Sequence, residues 1–253
     1  MKKLKKSTQQ NLFLLAAIGL ICVLILVLFS FMMPEKPVFK EGNISNDVNA
    51  SDPQEDLPVV VIDPGHGGYD EGSSSESGVV EKELNLEIAL KVRDLLEEND
   101  IHVVMTRDSD EVSWSDDNVE DLQARLDIAA NADALMLVSL HCNISEEDPE
   151  NVKGSEIYVN TSQSDSVALA EALNAQLETL SPALVSRGIK TGQFHLLTYN
   201  TLPCVIIEMG FLSNADDVAY LTETDTQDQL CNAIVEGILS QIRGCNEKRL
   251  ISQ

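Results

Sequence analysis

Val59-Val60-Val61-Ile62-Asp63-Pro64-Gly65-His66-Gly67-Gly68 is an apolar run that stops at a cluster of Asp, Pro, Gly and His. Two further runs end the same way: residues 135–138 lead into Ser139-Leu140-His141, and Val205-Ile206-Ile207 leads into Glu208-Met209-Gly210. Short unbroken apolar runs of this kind suit strands buried on both faces, as in a parallel sheet. Ligands in open α/β sheets gather outside the carboxyl ends of the strands, so the three runs deliver two histidines and a glutamate to one crevice.

Outward from these runs, strand-like and helix-like patterns alternate. Leu84, Ile88, Val92 and Leu95 recur at helical spacing, and Asn99-Asp100 supplies a turn before a strand over 101–105. A shorter helix fits 121–130, a strand 135–140 and another strand 155–159. Val167, Ala170, Leu173, Leu177 and Leu180 mark the next helix; a strand at 204–207 follows, and Leu230, Ile234, Ile238 and Ile242 stripe a closing helix. The pattern predicts one α/β domain over residues 58–244, with a largely parallel central sheet flanked by helices and a tail at 245–253.

Residues 12–33 contain no charge, and at helical rise they extend about 33 Å, enough to cross a hydrocarbon core. Lys2, Lys3, Lys5 and Lys6 precede them, which predicts a cytoplasmic basic tail at 1–11, a single transmembrane anchor at 12–33 and an extracytoplasmic remainder facing the cell wall. A cleavable signal peptide is the alternative, but the run is longer than a usual apolar signal core and no Ala-x-Ala site follows it. Residues 34–57 are polar, with few apolar residues to bury, and read as a flexible linker.

The chain has 253 residues, 43% of them hydrophobic, and sets 17 Lys and Arg against 42 Asp and Glu. Four of those 17 lie ahead of the apolar segment and no acidic residue precedes Glu35, so the exported part is more acidic still. Such a surface excludes nucleic acid as a partner. Acidic groups such as Glu146, Glu147, Asp148 and Glu150 read as a solvated face.

His66 taken alone would read as a loop histidine. Its flanking glycines let the backbone turn sharply at the sheet edge, His141 ends a second strand, and a Glu at the start of the first helix can reach the same crevice. Two imidazoles and one carboxylate, with a fourth position left for water, form the ligand set of a catalytic zinc site. Glu208 directly follows a strand buried on both faces, where a carboxylate without a partner is costly. A salt-bridged strand end is one explanation, and a catalytic base beside the metal is the more economical one.

These residues resemble the zinc-dependent N-acetylmuramoyl-L-alanine amidases, bacterial cell-wall enzymes with a single catalytic domain. The resemblance runs through Val61-Ile62-Asp63-Pro64-Gly65-His66-Gly67-Gly68 with Asp70 and Gly72, Glu81-Lys82-Glu83-Leu84-Asn85-Leu86, and Thr106-Arg107 with Asp110. It continues through Arg125 with Ala130-Asn131, Ser139-Leu140-His141-Cys142-Asn143, Arg187-Gly188-Ile189-Lys190 and Glu208-Met209-Gly210-Phe211-Leu212-Ser213-Asn214. It implies one zinc ion per domain held by His66, Glu81 and His141, with Glu208 as the catalytic residue. Glu81 rather than Glu83 matches the first acidic residue of the family's Glu-Lys motif. The implied reaction is hydrolysis of the amide between N-acetylmuramic acid and the L-alanine of the stem peptide, with peptidoglycan as partner. Any activating protein is unspecified.

By the same resemblance His195, Arg187 and Asn143 are candidate substrate contacts. A partly buried loop histidine is the other reading of His195, and His102 reads as structural. Cys142, Cys204, Cys231 and Cys245 are expected as buried free thiols, with a Cys231 to Cys245 bridge left open. A short, anchored, single-domain member is similar to sporulation and germination amidases of endospore formers. Two other classes stay open: a zinc peptidase cutting another wall amide, and a noncatalytic wall-binding or regulatory protein on the same fold. Retention of all four site positions favours catalysis.

Overall fold

The structure, a computed structural model, describes residues 57–251, with side chains described through Cys245. The expected basic tail, anchor and nearly all of the linker lie outside the described residues. Among the described residues no helix is long and apolar enough to cross a membrane.

The elements follow the order β1 (Val59–Pro64), α1 (Glu81–Glu97), β2 (His102–Met105), α2 (Asn118–Asn131), β3 (Met136–Asn143), β4 (Ser155–Val159) and α3 (Ser164–Leu177). A 3-10 turn at Glu178–Leu180 then leads to β5 (Ser186–Thr191), α4 (His195–Tyr199), β6 (Cys204–Phe211), α5 (Ala215–Thr222) and α6 (Thr224–Ile251). They build one six-stranded sheet in the order β2-β1-β3-β6-β4-β5. Every pairing is parallel except β4 against β6, so β4 and β5 run opposite to the other four strands.

From Val60 onward the β-branched run of β1 is buried because it lies between two neighbours and is covered on both faces. Side-chain alternation divides it. Val60 and Ile62 join Val138, Leu140, Val205 and Ile207 in the larger core, where Ile88 and Val92 of α1, Leu169 and Leu173 of α3, and Ile234 and Ile238 of α6 cover the sheet. Val61, Leu137 and Ile206 face the other way, onto a smaller cluster with Ala129 of α2 and Leu197 of α4. Helix starts follow local chemistry. Asp117 accepts from the amides of Val119 and Glu120 at the head of α2, and Asn214 does the same for Asp216 and Asp217 at α5.

The largely parallel sheet and the flanking helices agree with the expected fold, and the differences are local. β3 extends to Asn143, so His141 sits within the strand. β5, α4 and α5 were not anticipated as elements, and α6 continues to Ile251, past the expected end at Gly244. His102 is exposed on the edge strand β2. The four cysteines among the described residues are free; Cys142, Cys204 and Cys231 are buried, but Cys245 is exposed, off the buried stripe of α6 that runs through Ile234, Ile238 and Ile242.

Candidate metal centre and catalytic glutamate

The site forms where β1, β3 and β6 end side by side. The β3 to β6 ladder pairs His141 directly with Glu208, and the β1 to β3 ladder pairs Pro64 with Leu140. The loop after Pro64 then turns back over the strand ends, with His66 itself left-handed at φ 61°. Gly65 is required here, since a Cβ at that position would overlap the His141 ring. Gly72, at φ +66°, makes room for Glu81 and His66 in the same way.

Three buried ionic groups hold this loop in place. Asp63, with no exposed surface, accepts from Thr106 Oγ1 at 2.6 Å, Ser139 Oγ at 2.6 Å and Arg125 Nη1 at 2.8 Å. Burial alone would push Asp63 up, but the Arg125 charge and these hydrogen bonds outweigh it and bring its pKa down to about 2. Arg125 also donates to Asp121 at 2.6 Å and to the carbonyl of His66 at 2.7 Å. Arg107 donates to the carbonyls of Pro64, Gly65 and Lys82. The two guanidiniums replace the secondary structure that a glycine-rich loop lacks.

Within this frame one ligating atom each from His66, Glu81 and His141 lie within 4.8 Å of one another. Glu81 Oε1 is 3.1 Å from His66 Nε2 and 3.3 Å from His141 Nδ1, and the rings meet edge to face with centroids 4.8 Å apart. The carboxylate is fixed by the amides of Ser73 (2.8 Å) and Cys142 (3.0 Å). His66 Nδ1 donates to Asp70 Oδ2 at 2.6 Å, which leaves Nε2 turned toward the centre. An imidazole oriented by a carboxylate behind it is the usual arrangement of a metal-binding histidine.

Electrostatics give the same reading. Burial works against charge on His66, yet Glu81 and Asp70 raise its pKa to about 9. Burial would also raise Glu81, but the two histidines hold it well below the usual carboxylate range. The cluster therefore calls for positive charge at its centre, which a divalent cation satisfies with a position left open.

Glu208 stands at the lip of this cluster. Its Oε2 is buried with no hydrogen-bond partner among the described residues. Burial raises its pKa to about 7, against the opposing pull of His141. A carboxyl poised near neutrality beside a cation site is suited to taking and returning a proton.

His66, Glu81, His141 and Glu208 are thus brought together as the sequence implied. Arg187 and Asn143 converge next to them on Glu156, which the sequence reading did not single out. His195 goes elsewhere. It packs against Tyr199 with ring centroids 4.5 Å apart and lines a separate cavity with Thr191, Gln193 and Tyr199, while its neighbour Leu196 lines the crevice of His66 and His141. Asp70 was visible only as a motif residue. A carboxylate four positions after a histidine and between glycines was the available signal for its role.

Comparison with known proteins accounts for this geometry. The family profile described as N-acetylmuramoyl-L-alanine amidase matches residues 60–240. The chain is 34% identical to the Bacillus subtilis amidase LytC over 73% of its own length, a match that spans 36% of LytC. It is 32% identical to the germination-specific N-acetylmuramoyl-L-alanine amidase of the same organism, covering 72% of this chain and 78% of that one. Among solved structures, the CwlD amidase of Clostridioides difficile, determined in complex with the GerS lipoprotein, superposes with a TM-score of 0.68 at 31% identity, over 74% of this chain and 98% of that one. The chain belongs to the N-acetylmuramoyl-L-alanine amidase family.

Proposed function

We propose that this domain hydrolyses the amide between the lactyl group of N-acetylmuramic acid and the L-alanine of the stem peptide, using zinc held by His66, Glu81 and His141. Zinc bound there supplies Lewis acidity to the scissile carbonyl and to water. Glu208 takes the proton of the attacking water and returns it to the departing alanine nitrogen. Asp70 keeps His66 in the tautomer that offers Nε2, and the amides of Ser73 and Cys142 keep Glu81 aimed. Two imidazoles and a carboxylate suit zinc better than magnesium or calcium, which favour all-oxygen sites.

The observation that carries the reading is the buried, unpartnered Oε2 of Glu208 directly across the β3 to β6 ladder from His141. Replacing Glu208 with Gln is expected to lower turnover by about a hundredfold to ten-thousandfold while zinc stays bound. Turnover within a few fold of the parent would sink the assignment.

The anchor at 12–33, with the lysines before it, supports a domain tethered outside the membrane within reach of peptidoglycan. The likeness to a germination-specific amidase supports a substrate in the spore wall. Deletion of the gene followed by muropeptide analysis of spores and of growing cells tests the stage, and an unchanged spore wall would remove it.

A further inference from the structure

Beside Glu208, the starts of β4 and β5 assemble a second polar group. Glu156 is the antiparallel partner of Glu208, so the two side chains share a face of the sheet. Glu156 is 6% exposed and its carboxylate is fully engaged. Oε1 accepts from Arg187 Nε at 2.8 Å, and Oε2 accepts from Tyr158 OH at 3.0 Å and Asn143 Nδ2 at 3.2 Å. The Arg187 guanidinium also lies over the Phe211 ring, 5.4 Å from its centroid. One N–H and one face of the guanidinium are therefore fixed, while the Nη1 and Nη2 groups have no partner among the described residues and the side chain is 36% exposed.

The cations that hold the glycine-rich loop are engaged. Arg107 donates to backbone carbonyls, Arg125 is bound by Asp63 and Asp121, and Lys82 by Asp110 and the Gly68 carbonyl. Asp63, Asp70 and Asp121 line the crevice of His66 and His141, while Arg187 lies beyond Glu208 across β6 and β4, so an anionic group on the substrate finds its free donor at Arg187. The lactyl carboxyl of muramic acid is tied up in the scissile amide, which leaves the free carboxylates on the peptide side.

We infer that Arg187, held in place by Glu156, binds a free carboxylate on the peptide half of the substrate and makes the enzyme distinguish acidic from amidated stem peptides. This rests on the amidase reading. Arg187 is the binding residue, meeting the carboxylate through its paired Nη groups. Glu156 is a positioning residue, acting through Arg187.

The test uses two disaccharide tripeptides, one with free carboxyl groups on the peptide and one with those groups as carboxamides. Binding of each to the full-length, zinc-loaded Glu208→Gln protein is measured by calorimetry, and turnover by the unsubstituted enzyme is followed alongside. Losing a charge-assisted pair costs about tenfold to a hundredfold in affinity. The free-acid form is expected to bind tighter by that factor and to show a correspondingly lower KM, with kcat little changed between substrates. Adding Arg187→Gln is expected to bring the binding ratio to within about threefold of unity, and Glu156→Gln to narrow it in part. A general structural role for Arg187 would weaken both ligands alike and leave the ratio intact, which overturns the inference. Equal binding of the two ligands without Arg187→Gln overturns it even if that variant fails to fold. Absence of cleavage of either substrate would remove the amidase reading, while the binding ratio would still decide the role of Arg187.

Discussion

Asp63→Asn is the perturbation that tests most sharply what holds the site together. Asp63 lies at the end of β1 with no exposed surface, and it joins Thr106 beyond β2, Ser139 of β3 and Arg125 of α2 through three hydrogen bonds of 2.6 to 2.8 Å. Asn keeps one acceptor, but it puts an NH2 group where a donor already points and removes the charge facing Arg125. Breaking a buried ion pair costs about 3–5 kcal/mol, and because Arg125 keeps Asp121 the lower end, about 3 kcal/mol, is expected.

Proton linkage gives an independent figure. With its pKa at about 2 in the folded protein against 3.8 for the free side chain, Asp63 contributes roughly 2 kcal/mol near neutrality. The folded form binds this proton less readily than the unfolded one. The contribution is therefore complete above the unfolded pKa and is lost as pH falls through 3.8 toward 2. The linkage figure covers the charge alone; the larger substitution figure includes the misplaced donor. For a domain of this size about 3 kcal/mol corresponds to a fall in Tm of roughly 6–12 °C. Scanning calorimetry of the full chain in chelator, which removes the stabilisation a bound metal would add, measures this at pH 7 and again near pH 3. The gap between parent and variant is expected to shrink at the lower pH. A fall under about 2 °C at pH 7, or an equal gap at both pH values, would refute the reasoning.

Two further outcomes follow from the same geometry. Asp70→Ala removes the acceptor of His66 Nδ1 and is expected to weaken zinc binding about tenfold to a hundredfold, read by competition with a chromophoric chelator; an unchanged affinity would show that Asp70 does not orient the ligand. In metal-free protein Glu208 holds its proton up to about pH 7, while the unfolded chain releases it near 4.5, so stability falls as pH rises through that window. Glu208→Gln is therefore expected to stabilise the metal-free protein by up to roughly 3 kcal/mol at pH 8 and by little at pH 5, in urea titrations. Equal stability at pH 8 would mean the burial of Glu208 carries no electrostatic cost.

The central strands were legible because β1, β3 and β6 are buried on both faces and read as continuous apolar runs. β5 was not. It is an edge strand, exposed at Arg187 and Thr191 and interrupted at Gly188 (φ +80°), so neither an apolar run nor a clean alternation marks it. The reversed direction of β4 depends on a pairing with β6 across some fifty residues of chain, which no local pattern encodes. Of the candidate ligands, His66 and His141 were visible, like Glu208, because each follows an apolar run, and Glu81 because it opens the first helical pattern. Glu156 was hidden because its partners Arg187, Tyr158, Asn143 and Glu208 meet only once β4, β5 and β6 are side by side. His195 was left between a substrate contact and a partly buried loop histidine because sequence order does not fix which side of α4 it takes.

The most direct test of the central claim is mass spectrometry of purified muropeptides and peptidoglycan after incubation with the full-length protein, with and without chelator and with zinc restored. Intact stem peptides bearing a free L-alanine amino terminus, lost with chelator and regained with zinc, are the expected result. Products cut at any other bond, or unaltered muropeptides from a folded, zinc-loaded protein, would contradict it.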